Sequence, residues 1–258
     1  MKNKLAGLVD ASSLRAFAMI AVLAVIWGYF HWATGQTFLK PQNLSNLMTQ
    51  MSVTGIIAVG MLMLIVSANI DLSVGSVLGL AGGIAAYTLT NLGYTIPVAI
   101  GLALLAGIAI GVFQGVLTAK AGIPAFIVTL GGLLAWRGAV KWQLGGNTVP
   151  IADDTFKMIG QGNIPAWVGW VLAGIAVAFV IAMAIRSQRA IKEYGLGEGS
   201  LVAALLKSLI PIVAILIFIW VMNSYQGVPV PVLIFVGVAL IGSFLMSSTT
   251  FGRYLYAI

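Results

Sequence analysis

The sequence predicts an all-α protein whose helices cross a lipid bilayer, and three observations carry that expectation. Hydrophobic residues fill 60% of 258 positions and charged residues only 7%, against about 45–50% and about 25% in ordinary soluble domains. Apolar runs of 18 or more residues recur along the chain, each long enough to cross a hydrocarbon layer of about 30 Å as a helix. Barrel strands would leave short alternating stretches, and none are visible. Helices, which satisfy their own backbone groups, are then the spanning elements.

About eight crossings are expected. The first, residues 16–34, follows Lys2, Lys4 and Arg15 and so has the layout of a signal sequence. It is longer than a typical h-region, and no A-x-A-like site follows, so it is expected to remain as an uncleaved span. Pro41 to Met48 is expected to form a short interfacial helix leading into the second span, because Pro suits a first helical turn and the apolar residues fall at helical spacing. Further crossings are expected at 51–68, 72–90, 95–118, 125–144, 165–185, 201–222 and 230–247. In the fourth, Gly101, Gly107, Gly111 and Gly115 fall roughly along one face. They are expected to permit close helix packing, a pore-lining face being their other use. Ile123-Pro124-Ala125 suits the start of the fifth.

The formal net charge is +7, yet the basic residues sit in short connections and form no continuous face of the kind nucleic acid requires. Their distribution is an orientation signal instead. With the N-terminus in the cytoplasm, one side holds Lys2, Lys4, Arg15, Lys120, Arg186, Arg189, Lys192, Lys207 and Arg253. The other holds Lys40, Arg137, Lys141 and Lys157, and nine against four supports that orientation. All seven tryptophans (27, 32, 136, 142, 167, 170 and 220) fall in the outer half of this arrangement, as an interfacial belt would. Residues 186–200 then form a basic cytoplasmic loop within one transmembrane domain, 1–258.

Asp71 is the one side chain of a type charged at neutral pH in the apolar stretch 51–90. A carboxylate at the centre of a membrane helix costs about 2.5–3.5 kcal/mol on insertion scales. If 51–90 crossed once, every later connection would change sides and the Arg186–Lys192 loop would lie outside, so two crossings are expected. Forty residues supply two spans with almost nothing left for a turn. Residues 69–71 are therefore expected to be a tight reversal or a break between discontinuous helices, buried in protein or lining a wet cavity. Asp71 has three readings there: the N-cap of the following helix with Ser73 beside it, a partner for a cation such as Arg137, or a direct solute contact. Arg137 could equally snorkel to the outer interface.

Other polar residues carry weaker signals. His31, beside Tyr29 and Trp32, reads as a belt residue; Gln114 and Asn223 read as interhelical hydrogen-bonding groups or the lining of a polar path; Asp153-Asp154 reads as a solvated turn. With one His, no Cys, six scattered acidic residues, no H-E-x-x-H and no G-x-x-x-x-G-K-[ST], the chain offers no constellation for an enzyme, a metal or ATP. Any ATP that powers it is expected on another polypeptide.

Three segments carry a resemblance: Asn69-Ile70-Asp71-Leu72-Ser73-Val74-Gly75, Ile123-Pro124-Ala125-Phe126-Ile127-Val128-Thr129-Leu130-Gly131-Gly132, and Phe251-Gly252-Arg253-Tyr254-Leu255-Tyr256-Ala257-Ile258. They resemble the membrane (permease) subunits of bacterial ABC importers for monosaccharides, the ribose and xylose type. Trp220 to Pro229 and the basic loop and span from Arg186 to Trp220 look most like the xylose branch. The resemblance runs from about Gln42 to the last residue.

It implies a subunit of the bacterial inner membrane that catalyses nothing itself. A periplasmic binding protein would deliver the sugar, D-xylose or a related pentose; two permease subunits, as a homodimer, would form the pathway; cytoplasmic ATP-binding subunits would drive it. Asp71, Ser73 and Gly75, with Asn69, Gly131, Gly132 and Arg137, would belong to the pathway or its gate. Family chains continue beyond the Tyr-Ala-Ile position, so the chain is expected to be an N-terminal portion. The alternatives are a stand-alone secondary transporter or channel using Asp71 as an ion site, and a permease fragment without function.

Overall fold

A computed structural model describes residues 11–193 and 201–257 of the chain. Its helices are α1 (Ala11–Ala33), α2 (Pro41–Val66), α3 (Val74–Thr90), α4 (Ile96–Ala119), α5 (Ala125–Leu144), α6 (Asp154–Gln161), α7 (Ala166–Glu193), α8 (Leu201–Asn223), α9 (Val230–Ser248) and α10 (Thr250–Ala257). Among the described residues there is no β-strand, only an isolated bridge between Asn163 and Pro229. The fold is all-α, and each of the eight apolar runs lies on a helix.

Among the described residues, five helices, α2, α4, α7, α8 and α9, are long and apolar enough to cross a membrane. Shorter apolar helices cover 18–33 and Val74–Thr90, and α5 carries Arg137 and Lys141. Large apolar side chains lie exposed along these helices, among them Leu104, Leu105 and Ile108 of α4 and Leu240, Ile241 and Phe244 of α9. Such surfaces suit lipid, in which the outward face need not be polar.

Three local expectations are corrected. Pro41 to Met48 does not form a separate interfacial helix but opens the 26-residue α2, its Pro sitting where a first-turn N–H needs no partner. Asp153-Asp154 is solvated, as expected, but opens a helix instead of forming a turn: Asp153 caps α6, its Oδ1 accepting the Phe156 N–H at 2.9 Å. The helix α10 is additional, a one-helix tail behind α9. Of the basic loop, 186–193 is the helical end of α7, and 194–200 lie outside the described residues.

The chain divides into two compact units. The first joins residues 1–48 to Ile164–Val228. Here α7 packs on α8, with Gly169 so close to α8 that a Cβ would stand 2.9 Å from Asn223 Oδ1. Asn223 Nδ2 donates to the Ala166 carbonyl at 3.1 Å, so it is the interhelical clasp its sequence suggested. Gly227 adopts φ +98°, and a Cβ there would strike the Ile164 carbonyl. Only glycine suits that turn. His31 is half-buried and accepts the Leu39 N–H at its Nδ1, 3.3 Å away, while Phe30 stacks on Phe38. These contacts turn the chain out of α1.

The second unit joins Thr49–Asn163 to Pro229–Ile258. Its centre is a trio in which α3 packs against both α4 and α5. Beside Leu80 and Ile110, the buried positions are small or polar: Gly83, Ala85, Ala86 and Thr88 of α3, Ala99 and Gln114 of α4, Thr129 and Gly132 of α5. Close approach is the basis of helix packing in lipid, where apolar burial alone gives little drive. Gly55 of α2 lies against the Phe235 ring of α9, and Gly242 of α9 against Val59 of α2. The glycine face of α4 differs from expectation. A Cβ at Gly101, Gly107, Gly111 or Gly115 would meet nothing within 4 Å. These glycines face open space rather than a packed seam, and Gly111 and Gly115 line a cleft.

A candidate solute cleft at the break between α2 and α3

Seven residues, 67–73, separate α2 from α3, and their hydrogen bonds explain why both helices stop there. The Asn69 N–H donates to Leu64 O and the Ala68 N–H to Ile65 O, each at 3.0 Å. This is the paired closure of a Schellman end, which needs a left-handed residue. Ala68 supplies it at φ +57°, although it is not glycine. The Asn69 side-chain amide donates to Ser67 O at 2.7 Å, and Ser67 Oγ to Leu64 O at 2.9 Å. The free carbonyls at the end of α2 are thereby partly satisfied.

Asp71 is not the N-cap of α3. That position is Ser73, whose own side chain makes no capping bond. Asp71 sits two residues earlier, and its Oδ1 accepts both the Ser73 N–H and the Ser73 hydroxyl, each at 2.7 Å. This local loop, an Asx turn, holds the break rather than the helix. Ser73 is fully buried, and Gln114 Nε2 of α4 donates to Ser73 Oγ at 3.0 Å. Ser73 Oγ also lies 3.2 Å from Gln114 Oε1, but its single proton can serve only one acceptor. The shorter contact gives it to Asp71, so the chain of donors runs from Gln114 through Ser73 to Asp71.

From α5, Thr129 Oγ1 donates to Ala125 O at 2.8 Å and lies 3.2 Å from Ile70 O. Ser76 Oγ donates to Leu133 O at 2.9 Å, tying α3 to α5. Gly132 lets the network close: a Cβ there would overlap Gln114 Nε2 and stand 3.0 Å from Trp136 Nε1. That indole N–H is buried without a hydrogen-bond partner. Trp136 is therefore turned towards its neighbouring helices, its ring edge-on to Phe113 at 6.3 Å, whereas Trp32 and Trp142 are 78% and 88% exposed.

A cleft of about 310 Å³ opens beside this network. Asn69, Ile70 and Asp71 of the break form one wall; Gly111, Gln114, Gly115 and Thr118 of α4 form another; Ala125 and Thr129 of α5 complete it. Two of the sequence-based candidates, Asn69 and Asp71, line it. Ser73 and Gly132 stand behind it as supports, one under Asp71 and one under Gln114. Gly75, Gly131 and Arg137 are exposed and outside its lining. Among the described residues the one ion pair is Lys157–Asp154, so Arg137 does not pair with Asp71. Sequence reasoning does not single out Thr118 and Thr129 as site residues, although Gln114 and Thr118 stand one helical turn apart in an otherwise apolar helix. Among the described residues, no group of three or more His, Cys, Asp or Glu side chains comes together as a metal site.

Known proteins resemble the chain along most of its length. Residues 43–258 match the family described as branched-chain amino acid transport system / permease component. The xylose transport system permease protein XylH of Escherichia coli is 37% identical over 246 residues, covering 95% of this chain and 63% of that protein. The same-named protein of Haemophilus influenzae is 38% identical over 246 residues, 95% of this chain and 66% of that protein. The ribose import permease protein RbsC of Haemophilus influenzae is 32% identical over 220 residues, 82% of this chain and 65% of that protein. The chain thus spans about 63% of the length of the first of these relatives. No solved structure matches it.

Proposed function

The chain belongs to the branched-chain amino acid transport system / permease component family, and from that premise we propose that it is the transmembrane subunit of an ATP-driven monosaccharide importer. The sugar in this reading is D-xylose or a related pentose, after the printed names of the xylose and ribose relatives. A periplasmic binding protein delivers the sugar, a second permease copy completes the pathway, and separate cytoplasmic subunits bind ATP. The setting is the bacterial inner membrane. Eight crossings with the N-terminus in the cytoplasm follow from the nine-to-four division of basic residues. Residues 1–258 form one permease domain in this reading, with 186–200 its basic cytoplasmic loop.

The observation that carries the reading is the cleft at the α2–α3 break, where Asn69, Asp71, Gln114, Thr118 and Thr129 stand in a largely apolar lining. Interrupted helices whose ends line a cavity are how membrane carriers hold polar solutes. Asn69 and Asp71 contribute to the pathway surface, Ser73 and Gly132 set their positions, and Gly75, Gly131 and Arg137 lie along α3 and α5 as parts of its gate. A carboxylate without a cationic partner among the described residues is costly in lipid, which supports a place for Asp71 beside a wet pathway.

The test is uptake of labelled D-xylose by cells lacking their own pentose permeases, with this chain expressed beside the ATPase and binding protein of its system. Accumulation that depends on all three components is expected. Uptake needing neither the ATPase nor the binding protein would contradict the importer and favour a secondary transporter or channel. No uptake of any monosaccharide would contradict both.

A further inference from the structure

The wall of the α2–α3 cleft is unbalanced in its hydrogen-bonding groups. The second carboxylate oxygen of Asp71 takes no hydrogen bond among the described residues, since both donors from Ser73 go to Oδ1. The Asn69 amide nitrogen is committed to Ser67 O, which leaves its side-chain oxygen free. The Thr118 hydroxyl gives its proton to Gln114 O at 3.1 Å, and Thr129 gives its own to Ala125 O. Both therefore turn only lone pairs outward. Once Ser73 donates to Asp71, Gln114 Oε1 too is without a donor. The cleft thus presents several oxygen acceptors around one carboxylate, and few donors.

Three classes of ligand can be weighed against that wall. An anion is excluded by the carboxylate and by the scarcity of donors. A resident divalent cation takes about six to eight oxygen ligands, commonly with more than one carboxylate among them, whereas Asp71 is the one carboxylate in the lining of this cleft of about 310 Å³. That volume is at the lower end of small-molecule pockets, roughly 300–1,000 Å³. A neutral polyol fits both the room and the chemistry, because each hydroxyl brings a proton to an acceptor and a lone pair to the remaining Gln114 amide proton. Adjacent hydroxyls are the form in which one carboxylate oxygen and its neighbours can be met together.

Resting on the importer reading above, we propose that Asp71, Asn69, Gln114 and Thr118 form a direct contact site for adjacent hydroxyls of the transported sugar within the permease. Asp71 accepts from one hydroxyl through its free oxygen. Asn69 and Thr118 accept from its neighbours, and Gln114 both accepts and donates. Ser73 and Gly132 are positioning residues: one holds the carboxylate, the other makes room for the Gln114 amide.

Saturation-transfer NMR on the full chain in lipid nanodiscs tests this, with D-xylose and D-ribose as probes and 1,4-butanediol, which has no adjacent hydroxyl pair, as comparison. Saturable transfer to the sugars, absent for butanediol, is expected. Asp71→Asn should weaken it about 10- to 100-fold and Thr118→Ala a few-fold, the range for losing one charged and one neutral hydrogen bond. Thermal unfolding of both variants checks that they fold, and Thr118→Ala leaves the Gln114–Ser73–Asp71 chain untouched. No transfer to either sugar, transfer unchanged in both variants, or sugar transfer competed away by sodium chloride at constant ionic strength would overturn the proposal. Uptake by the assembled importer with no transfer to the isolated chain would sink the contact site and leave the importer standing. Transfer with no uptake would support the site and sink the importer.

Discussion

Gly132 and Gly131 are adjacent in sequence and opposite in demand. A Cβ at Gly132 would overlap the Gln114 amide and press on Trp136, while one at Gly131 would meet nothing within 4 Å. Overpacking of this kind costs about 1–3 kcal/mol. Thermal unfolding in detergent should show Gly132→Ala destabilised by that amount. Gly131→Ala should be neutral or stabilised by up to about 1 kcal/mol, from helix propensity. Ala68 offers the reverse case, a side chain in a left-handed backbone at φ +57°. Ala68→Gly should stabilise the protein by up to about 1 kcal/mol, because glycine carries no Cβ penalty there. Equal unfolding midpoints for Ala68→Gly and the parent would count against strain at the end of α2.

The residue-level content of the site is only half legible in the sequence. Asn69 and Asp71 stand out because polar groups are conspicuous in an apolar run. The partnership of Ser73 with Gln114 does not, since 41 residues separate them and only the packing of α3 on α4 brings them together. Neither do the different fates of two neighbouring glycines, which depend on which face of α5 meets α4. Asp71 reads as a helix cap in the sequence because its carboxylate does accept a backbone N–H. That N–H belongs to Ser73, the residue before the helix proper.

At the scale of elements, the apolar runs are legible because a bilayer demands long uninterrupted stretches. The eight-residue helices α6 and α10 are not, because a short amphipathic helix leaves no such run. Capping is what makes α6 definite: Asp153 accepts the Phe156 N–H, and Asp154 pairs with Lys157 at 3.1 Å on an exposed face. An exposed pair of that kind contributes little, whereas a lost N-cap costs about 0.5–2 kcal/mol. Hydrogen exchange should therefore show faster exchange across α6 in Asp153→Ala and little change in Lys157→Ala. Equal effects of the two substitutions would contradict the view that the cap, more than the ion pair, holds α6.

For the whole molecule, the proposed orientation rests on the division of charge and the proposed pathway on the break between α2 and α3. The chain contains no cysteine, so single substitutions report cleanly. Thr155→Cys, in α6, and Ala190→Cys, near the end of α7, should react with a membrane-impermeant maleimide from opposite sides of sealed vesicles. Same-side labelling would contradict the eight-crossing arrangement. The most direct measurement of the central claim is ATP-driven D-xylose uptake into proteoliposomes by the assembled importer carrying Asp71→Asn. The account predicts uptake at least about tenfold slower, with the sugar affinity of the binding protein unchanged. Uptake at the parent rate would contradict the assignment of the α2–α3 cleft to the sugar's path.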